Sequence, residues 1–191
     1  MRIPIYGDVP RNFPISQAAE KKITAHAAAC DRFNEDLATW QRETDQLRNV
    51  PESGWSIEHD DAATRLRSTE RQLAVREIQL RESLDELLIH VRDVEQPAAR
   101  EGAHQAYLKS KQDIDKRLRK IGYVDHLPSG HPSLTENMVE RHPDVSAAWQ
   151  VYRSYSDFDN RPNQQANAKE LHECRAALAN YKQRAMAGLA V

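Results

Sequence analysis

Three histidines, His126, His131 and His142, lie in one proline-containing stretch of the chain. Imidazole is the most common side-chain ligand of zinc and other transition metals, so this stretch is the first candidate for a metal site. The spacing matches no known ligand signature, and His131 and His142 each precede a proline, a pattern that suits the start of a helix. We therefore expect turns and helix caps here, with no bound metal and no cofactor. A metal-dependent enzyme that uses residues 126–142 is our third functional alternative.

His26 and Cys30 are four residues apart, so they share one face of a helix and could form half of a metal site. Both also fall on the apolar stripe of that helix, where a neutral histidine and a thiol pack well. We predict that they belong to the core. Cys30 and Cys174 are far apart and fit no redox motif, which indicates two reduced thiols in a reducing compartment.

The chain has one basic cluster, between residues 109 and 120, and it is interrupted by Asp113 and Asp115. Several cations on one helix can neutralise phosphates, which makes a nucleic-acid-binding accessory protein the second functional alternative. Cations also accumulate at helix C-termini for electrostatic reasons alone. The candidate phosphate contacts are Lys116, Arg117, Arg119 and Lys120.

Other catalytic and binding motifs fail on their spacing. Asp157 and Asp159 resemble the start of a calcium loop, but Pro162 replaces the required glycine and Ala168 replaces the final glutamate. The sequence contains no nucleophile elbow, no glycine-rich phosphate loop and no paired cysteine motif. We therefore predict a protein that is not an enzyme and has no catalytic residues.

The composition suggests helices with a large surface. Charged residues make up 29% of the 191 residues and aromatic residues 6%, and only six glycines occur. The formal net charge of -2 provides no overall field that would attract nucleic acid or an anionic membrane. No apolar run is long enough for a signal peptide or a membrane span. We expect a protein that is cytoplasmic or inside a virus particle and is not secreted by a recognisable signal.

Two long helices are predicted from heptad spacing, over residues 17–49 and from residue 57 to the proline at 97. In the second helix one seam position recurs every seven residues, at Leu66, Leu73, Leu80, Leu87 and Val94. The first helix has two seam positions. One is occupied by Ile23, Cys30, Leu37 and Thr44, and the other, three residues on, by His26, Phe33, Trp40 and Leu47. The short link between the two helices predicts an antiparallel, coiled-coil-like hairpin.

Four shorter helices are predicted after the hairpin, over residues 97–121, 133–141, 144–157 and 164–187. The helix over 144–157 has aromatic residues at steps of three, at Trp149, Tyr152 and Tyr155. Such a stripe suits a core, and large amphipathic rings also suit a protein interface. The sequence alone does not choose between these two interpretations.

Residues 1–15 are predicted to form an extended arm, because three prolines prevent a helix while apolar side chains remain available for docking. The arm is expected to lie against a partner subunit or against the chain's own helices, and a disordered terminus is the alternative. Together with the aromatic stripe, the arm supplies our predicted partner interface: Ile3, Ile5, Tyr6, Phe13, Trp149, Tyr152 and Tyr155.

These patterns predict an all-α fold, an elongated helical bundle built on the long hairpin and preceded by the arm. The predicted domains are the arm (1–15), the hairpin with the third helix (16–123), and a connector with a C-terminal helical pair packed on the same body (124–191). The leading functional hypothesis is a structural subunit that assembles with itself or with larger protein partners, as in a virus particle or a comparable multi-subunit machine. Nucleic acid is a less favoured partner, and no membrane is expected.

Overall fold

The computed structural model describes residues 8–120 and 134–186, and within these two ranges the chain is helical and contains no strand. The all-α prediction is confirmed. The described helices are α1 (Gln17–Arg48), α2 (Ile57–His90), α3 (Gln96–Lys120), α4 (Leu134–Arg141), α5 (Pro143–Ser156) and α6 (Arg161–Met186). A short 3-10 turn over Glu52–Gly54 and a π-helical turn over Val91–Glu95 complete the set.

Two helix boundaries follow the proline and capping signals of the sequence. The end of the second helix does not: α2 ends at His90, where the π-helical turn begins, and Pro97 lies in the first turn of α3. Pro51 stands between α1 and the 3-10 turn, in which its carbonyl accepts the backbone N–H of Gly54 at 2.8 Å. His142 caps α5: its side chain accepts the backbone N–H of Asp144, and Pro143 occupies the first turn, where its missing N–H costs nothing. The prediction that the proline after His142 marks a helix start is confirmed.

The chain divides into two compact units, each built from segments that are distant in sequence. Among the described residues, unit 1 contains 8–10, 17–89 and 160–186, which is α1, nearly all of α2, and α6. Unit 2 contains 11–16, 90–120 and 134–159, which is the π-helical turn, α3, α4 and α5. These units differ from the predicted domains, which were 1–15, 16–123 and 124–191. The division into those three domains stays a prediction.

The core of unit 1 joins α1 to α2 along the predicted stripes. Five of its residues are almost completely buried: Cys30, Phe33, Leu37, Leu73 and Leu80. Trp40 packs against this cluster, and its indole N–H donates to the backbone carbonyl of Leu66 at 3.0 Å. An ion pair of 2.5 Å joins Arg76 to Asp36 on the surface. The long helices therefore pack together through the apolar face that the heptads marked.

Three polar side chains spaced seven residues apart, in α6 and at the residue before it, form hydrogen bonds to α2. The amides of Asn160 and Asn167 donate to the backbone carbonyls of Leu88 and Arg81, at 2.7 and 2.8 Å. The thiol of Cys174 donates to Glu77 at 3.1 Å. Both asparagines are buried. Polar groups buried at seam positions fix the register of two helices, at some cost in stability.

A buried ion pair lies beneath α6. The side chains of Arg81 and Glu77 are each at least nine-tenths buried, and the guanidinium Nε and Nη2 both donate to one carboxylate oxygen at 3.3 Å. Arg81 also pairs with Glu170 on α6. Burial, followed by the neighbouring Glu77 carboxylate, raises the pKa of Cys174 to about 11. The thiol therefore stays protonated at neutral pH and serves as a donor.

The heptad prediction is wrong at Val94, which lies in the π-helical turn. The heptad places Val94 on the buried seam, but it is 51% exposed, whereas Glu95 beside it is 7% exposed. The backbone N–H of Gln96 donates to the carbonyl of Val91, five residues earlier, so the turn holds one residue more than an α-helical turn. That extra residue shifts the periodicity, which turns Val94 outward and Glu95 inward.

Candidate interaction surface

Four rings from α3 and α5 form a continuous series in unit 2. Trp149 on α5 contacts Tyr107 on α3, with ring centroids 5.2 Å apart, and it contacts Tyr152 one turn along α5 at 5.4 Å. Tyr152 in turn contacts His104 on α3 at 5.1 Å. A step of three residues on each helix brings its two rings to one side of that helix.

A cation lies over two of these four rings. The guanidinium of Arg100 is 5.5 Å from the ring centroid of Tyr152, and its Nη2 donates to the phenol oxygen at 3.3 Å. The ammonium of Lys111 is 5.7 Å from the ring centroid of Tyr107. Cations above aromatic faces are attracted by the ring quadrupole. We call His104, Tyr107, Trp149 and Tyr152, with Arg100 and Lys111, the aromatic face.

Lys111 keeps its charge in this position. Burial alone would lower its pKa, but the hydrogen bond to Glu140 and the nearby phenol of Tyr107 raise the pKa above the ordinary value of 10.5. The ammonium lies 3.3 Å from the carboxylate of Glu140, which is half-exposed. The aromatic face therefore carries a positive charge over the ring of Tyr107, in addition to the guanidinium over Tyr152.

The three predicted aromatic residues of α5 differ in their burial. Tyr155 is half-buried because Phe13 packs edge-on against it, with ring centroids 6.1 Å apart. Tyr152 is also half-buried. Trp149, in the middle of the ring series, is 44% exposed. The largest side chain of the stripe therefore presents a substantial apolar surface to solvent.

The predicted arm residues have separate outcomes. Phe13 is only 6% exposed, and besides Tyr155 it contacts Phe158 edge-on at 4.9 Å, so the chain's own unit 2 covers it. Ile3, Ile5 and Tyr6 lie outside the described residues.

The aromatic face rests on a fixed support. Beneath it Ile114, Val139 and Val145 form a buried cluster, against which Tyr107 and Leu118 pack. The end of α5 is tied to the start of α3, because the side-chain amide of Gln96 donates to the backbone carbonyls of Tyr155 and Phe158 at 3.1 and 2.8 Å. A surface held in this way loses little conformational freedom when it binds a partner.

A second network ties the chain before α1 to the π-helical turn. The backbone N–H and the hydroxyl of Ser16 each donate to the carboxylate of Glu95 at 2.7 Å, and the ring of His90 lies 3.1 Å from the same group. The backbone hydrogen bond from Ser16 is the main cause that lowers the pKa of Glu95. The carboxylate is thus held charged in a buried position.

The four predicted phosphate contacts, Lys116, Arg117, Arg119 and Lys120, are all exposed at the C-terminal end of α3. Arg119 forms an ion pair of 2.9 Å with Asp115, one turn earlier. The predicted cluster therefore lies on the surface as a group.

The histidine and cysteine candidates for metal binding fall into different environments. The Nε2 atom of His26 and the Sγ atom of Cys30 are 3.4 Å apart in the core of unit 1. Burial there lowers the pKa of His26 and raises the pKa of Cys30. His142 caps α5, whereas His126 and His131 lie outside the described residues. Within residues 8–120 and 134–186, no group of three or more His, Cys, Asp or Glu side chains is placed to hold a metal ion.

The residues on the α3 side of the aromatic face were not among the predicted interface residues. Arg100, His104, Tyr107 and Lys111 follow one another at steps of four, three and four residues, which places them on one stripe of α3. That spacing is a usable signal, but a stripe of mixed cationic and aromatic residues is not apolar, and a search for hydrophobic periodicity passes over it.

Comparison with protein-family models, with curated protein sequences and with solved structures gives no match to this chain. Among the helices of the described ranges, none combines the length and apolar character needed to cross a membrane.

Proposed function

We propose that this chain is a non-enzymatic structural subunit that assembles through protein–protein contacts, with itself or within a larger body such as a virus particle or a comparable multi-subunit machine. The observation that carries the proposal is the 44% exposure of Trp149 in the centre of the aromatic face. Protein interfaces are enriched in Trp, Tyr and Arg, and their most important residues are aromatic anchors surrounded by less critical contacts. The aromatic face has this composition.

The proposed framework of the subunit is a long antiparallel hairpin of α1 and α2, packed in the manner of a coiled coil. Two contacts support it: the end of α1 meets the early part of α2 at Trp40 and Leu66, and an earlier residue of α1, Asp36, meets a later residue of α2, Arg76. This order of contacts is the one expected of an antiparallel pair.

We also propose that residues 1–15 act as an arm that docks on protein. The burial of Phe13 supports docking at the end of that segment. Deleting residues 1–15 should leave the helix content nearly unchanged while lowering the melting temperature, measured by circular dichroism, or reducing assembly, measured by sedimentation. If neither quantity changes, the arm has no docking role.

The aromatic face is tested by replacing Trp149 with Ala and measuring the mass of the full chain by sedimentation velocity over a range of concentrations. We expect wild-type chains to form species heavier than the 21.9 kDa monomer. Loss of an aromatic anchor typically costs about 2 kcal/mol or more, so the association constant of the variant should fall about thirtyfold.

Val151→Ala is the matched control, because Val151 is 45% exposed on the same helix but lies two residues away, towards another side. Its association should equal that of the wild type. If Trp149→Ala and wild-type chains sediment alike, the aromatic face is not the contact. If wild-type chains remain monomeric at every concentration, self-assembly is refuted.

A nucleic-acid-binding accessory protein is the second candidate, because Lys116, Arg117, Arg119 and Lys120 are all exposed. Filter binding at low salt tests it. Micromolar affinity that falls steeply with salt and disappears when Arg117, Arg119 and Lys120 are changed to Gln would favour this candidate over the structural one.

A further inference from the structure

The turn between α1 and α2 carries two exposed apolar side chains. We call residues 51–61 the tip. Trp55 is 43% exposed and Ile57 is 80% exposed, and the two are separated by one residue. An isolated exposed apolar residue needs no explanation, but a tryptophan beside an almost fully exposed isoleucine forms a patch that a partner could cover.

The ring of Trp55 is held in place by its neighbours on the tip rather than by the core. Its indole N–H donates to the carboxylate of Asp60 at 2.8 Å, and its ring lies 5.4 Å from the ring of His59. His59 is itself held, because the backbone N–H of Ser56 donates to its Nδ1 at 3.1 Å. An exposed ring that is already oriented binds a partner with a smaller loss of conformational entropy.

The charge of the tip defines the kind of surface that can cover it. The tip contains four acidic residues and no lysine or arginine, a net charge of -4 with histidine neutral. Nucleic acid and anionic membranes would be repelled. A partner must therefore supply positive charge, together with side chains that can lie against an indole.

This chain itself carries such a surface. Residues 109–120 at the end of α3 contain six basic and two acidic residues, a net charge of +4. The side chains of Lys116, Arg117, Arg119 and Lys120 are exposed there. Long basic side chains offer apolar stems as well as charge, and a guanidinium stacks well on an indole. The two surfaces are matched in the size of their charge and opposite in sign.

We propose that the tip of one copy docks on the basic end of α3 of a second copy, with Trp55 lying against the basic side chains and the tip carboxylates pairing with them. This inference rests on the proposed self-assembly and names a second contact for it, separate from the aromatic face. The contact joins two different surfaces. A pair of copies joined once therefore still has one tip and one α3 end available to bind further copies.

Charge reversal tests the proposal. One full-length variant changes Glu52, Glu58 and Asp61 to Lys and keeps Asp60, which holds Trp55. The other changes Lys116, Arg117 and Lys120 to Glu and keeps Arg119, which pairs with Asp115. In each variant the tip and the α3 end carry the same sign, so self-association measured by sedimentation should fall at least tenfold.

Mixing the two variants should restore association, because the positive tip of the first then meets the negative α3 end of the second, and the reverse also holds. A variant that had failed to fold could not be rescued in this way. Wild-type association should also weaken at least tenfold when salt is raised to about 0.5 M, since exposed charges are screened. Trp55→Ala should weaken association without changing its salt dependence.

The control reverses three exposed acids elsewhere in unit 1, Asp31, Glu35 and Glu86, and should leave association unchanged. The proposal is overturned if either reversed variant associates like the wild type, or if the mixture does not associate. A failure here combined with weakened association of Trp149→Ala would leave the aromatic face as the assembly contact. If reversing the tip charges weakens association and Trp149→Ala does not, the tip and the α3 end are the assembly contact and the aromatic face is not.

Discussion

Replacing Arg81 with Met should destabilise unit 1 by about 3 to 5 kcal/mol, because the change leaves a buried carboxylate without its counter-charge. Arg81 and Glu77 are both 6% exposed. Without the guanidinium, the bond to Glu77 that the structure still shows comes from the thiol of Cys174, which is a weak donor. Glu170 also loses its partner, but its side chain is 53% exposed, so this loss adds less than about 1 kcal/mol.

The assay is urea unfolding followed by tryptophan fluorescence in a Trp149→Phe background, so that the remaining Trp40 and Trp55 report on unit 1 alone. The double variant Arg81→Met with Glu77→Leu should regain most of the lost stability, because no buried charge is left. A loss below about 1 kcal/mol in the single variant would mean that water reaches Glu77 and that the pair is not buried. A double variant as unstable as the single one would assign the loss to packing rather than to charge.

Three further predictions concern the two cores and the Ser16 network. Phe33→Ala should destabilise unit 1 by about 3 to 5 kcal/mol in the same urea assay, because Phe33 is 0% exposed. Phe13→Ala should destabilise unit 2 by about 3 kcal/mol, read from Trp149 after Trp40 and Trp55 are changed to Phe. The lowered pKa of Glu95 contributes stability that is complete above its ordinary value of 4.5 and is lost as the pH falls through the folded-state pKa. Ser16→Ala removes the hydroxyl donor but keeps the backbone N–H, so it should reduce part of the loss of melting temperature between neutral and acidic pH. An unchanged pH profile would show that the hydroxyl does not stabilise this carboxylate.

The heptad pattern located the buried face of α1 but not how far burial extends. Ile23, Cys30, Phe33 and Leu37 are buried as the spacing predicts, whereas the next seam residue, Trp40, is half-buried. Periodicity identifies the side of a helix that can be buried. The extent of burial depends on which other segments reach that side, and this information lies elsewhere in the chain.

A polar position of the α2 seam also shows that burial depends on distant parts of the chain. Glu77 interrupts an apolar stripe, which by itself indicates a weaker seam. In the structure this carboxylate meets Arg81 four residues later and Cys174 ninety-seven residues later. The first contact can be predicted from helical spacing. The second cannot, because it depends on how α6 returns to α2.

The aromatic residues of α5 explain why the choice between core and interface could not be made for the stripe as a whole. The spacing put Trp149, Tyr152 and Tyr155 on one side of a helix, and the structure gives each a different cover: Phe13 packs against Tyr155, while Tyr152 lies beneath Arg100. Trp149 has Tyr107 and Tyr152 beside it, and 44% of its surface remains exposed. Core and interface are thus adjacent positions of one stripe. The position with the largest apolar side chain is also the most exposed, and for this reason the proposed contact is centred on Trp149.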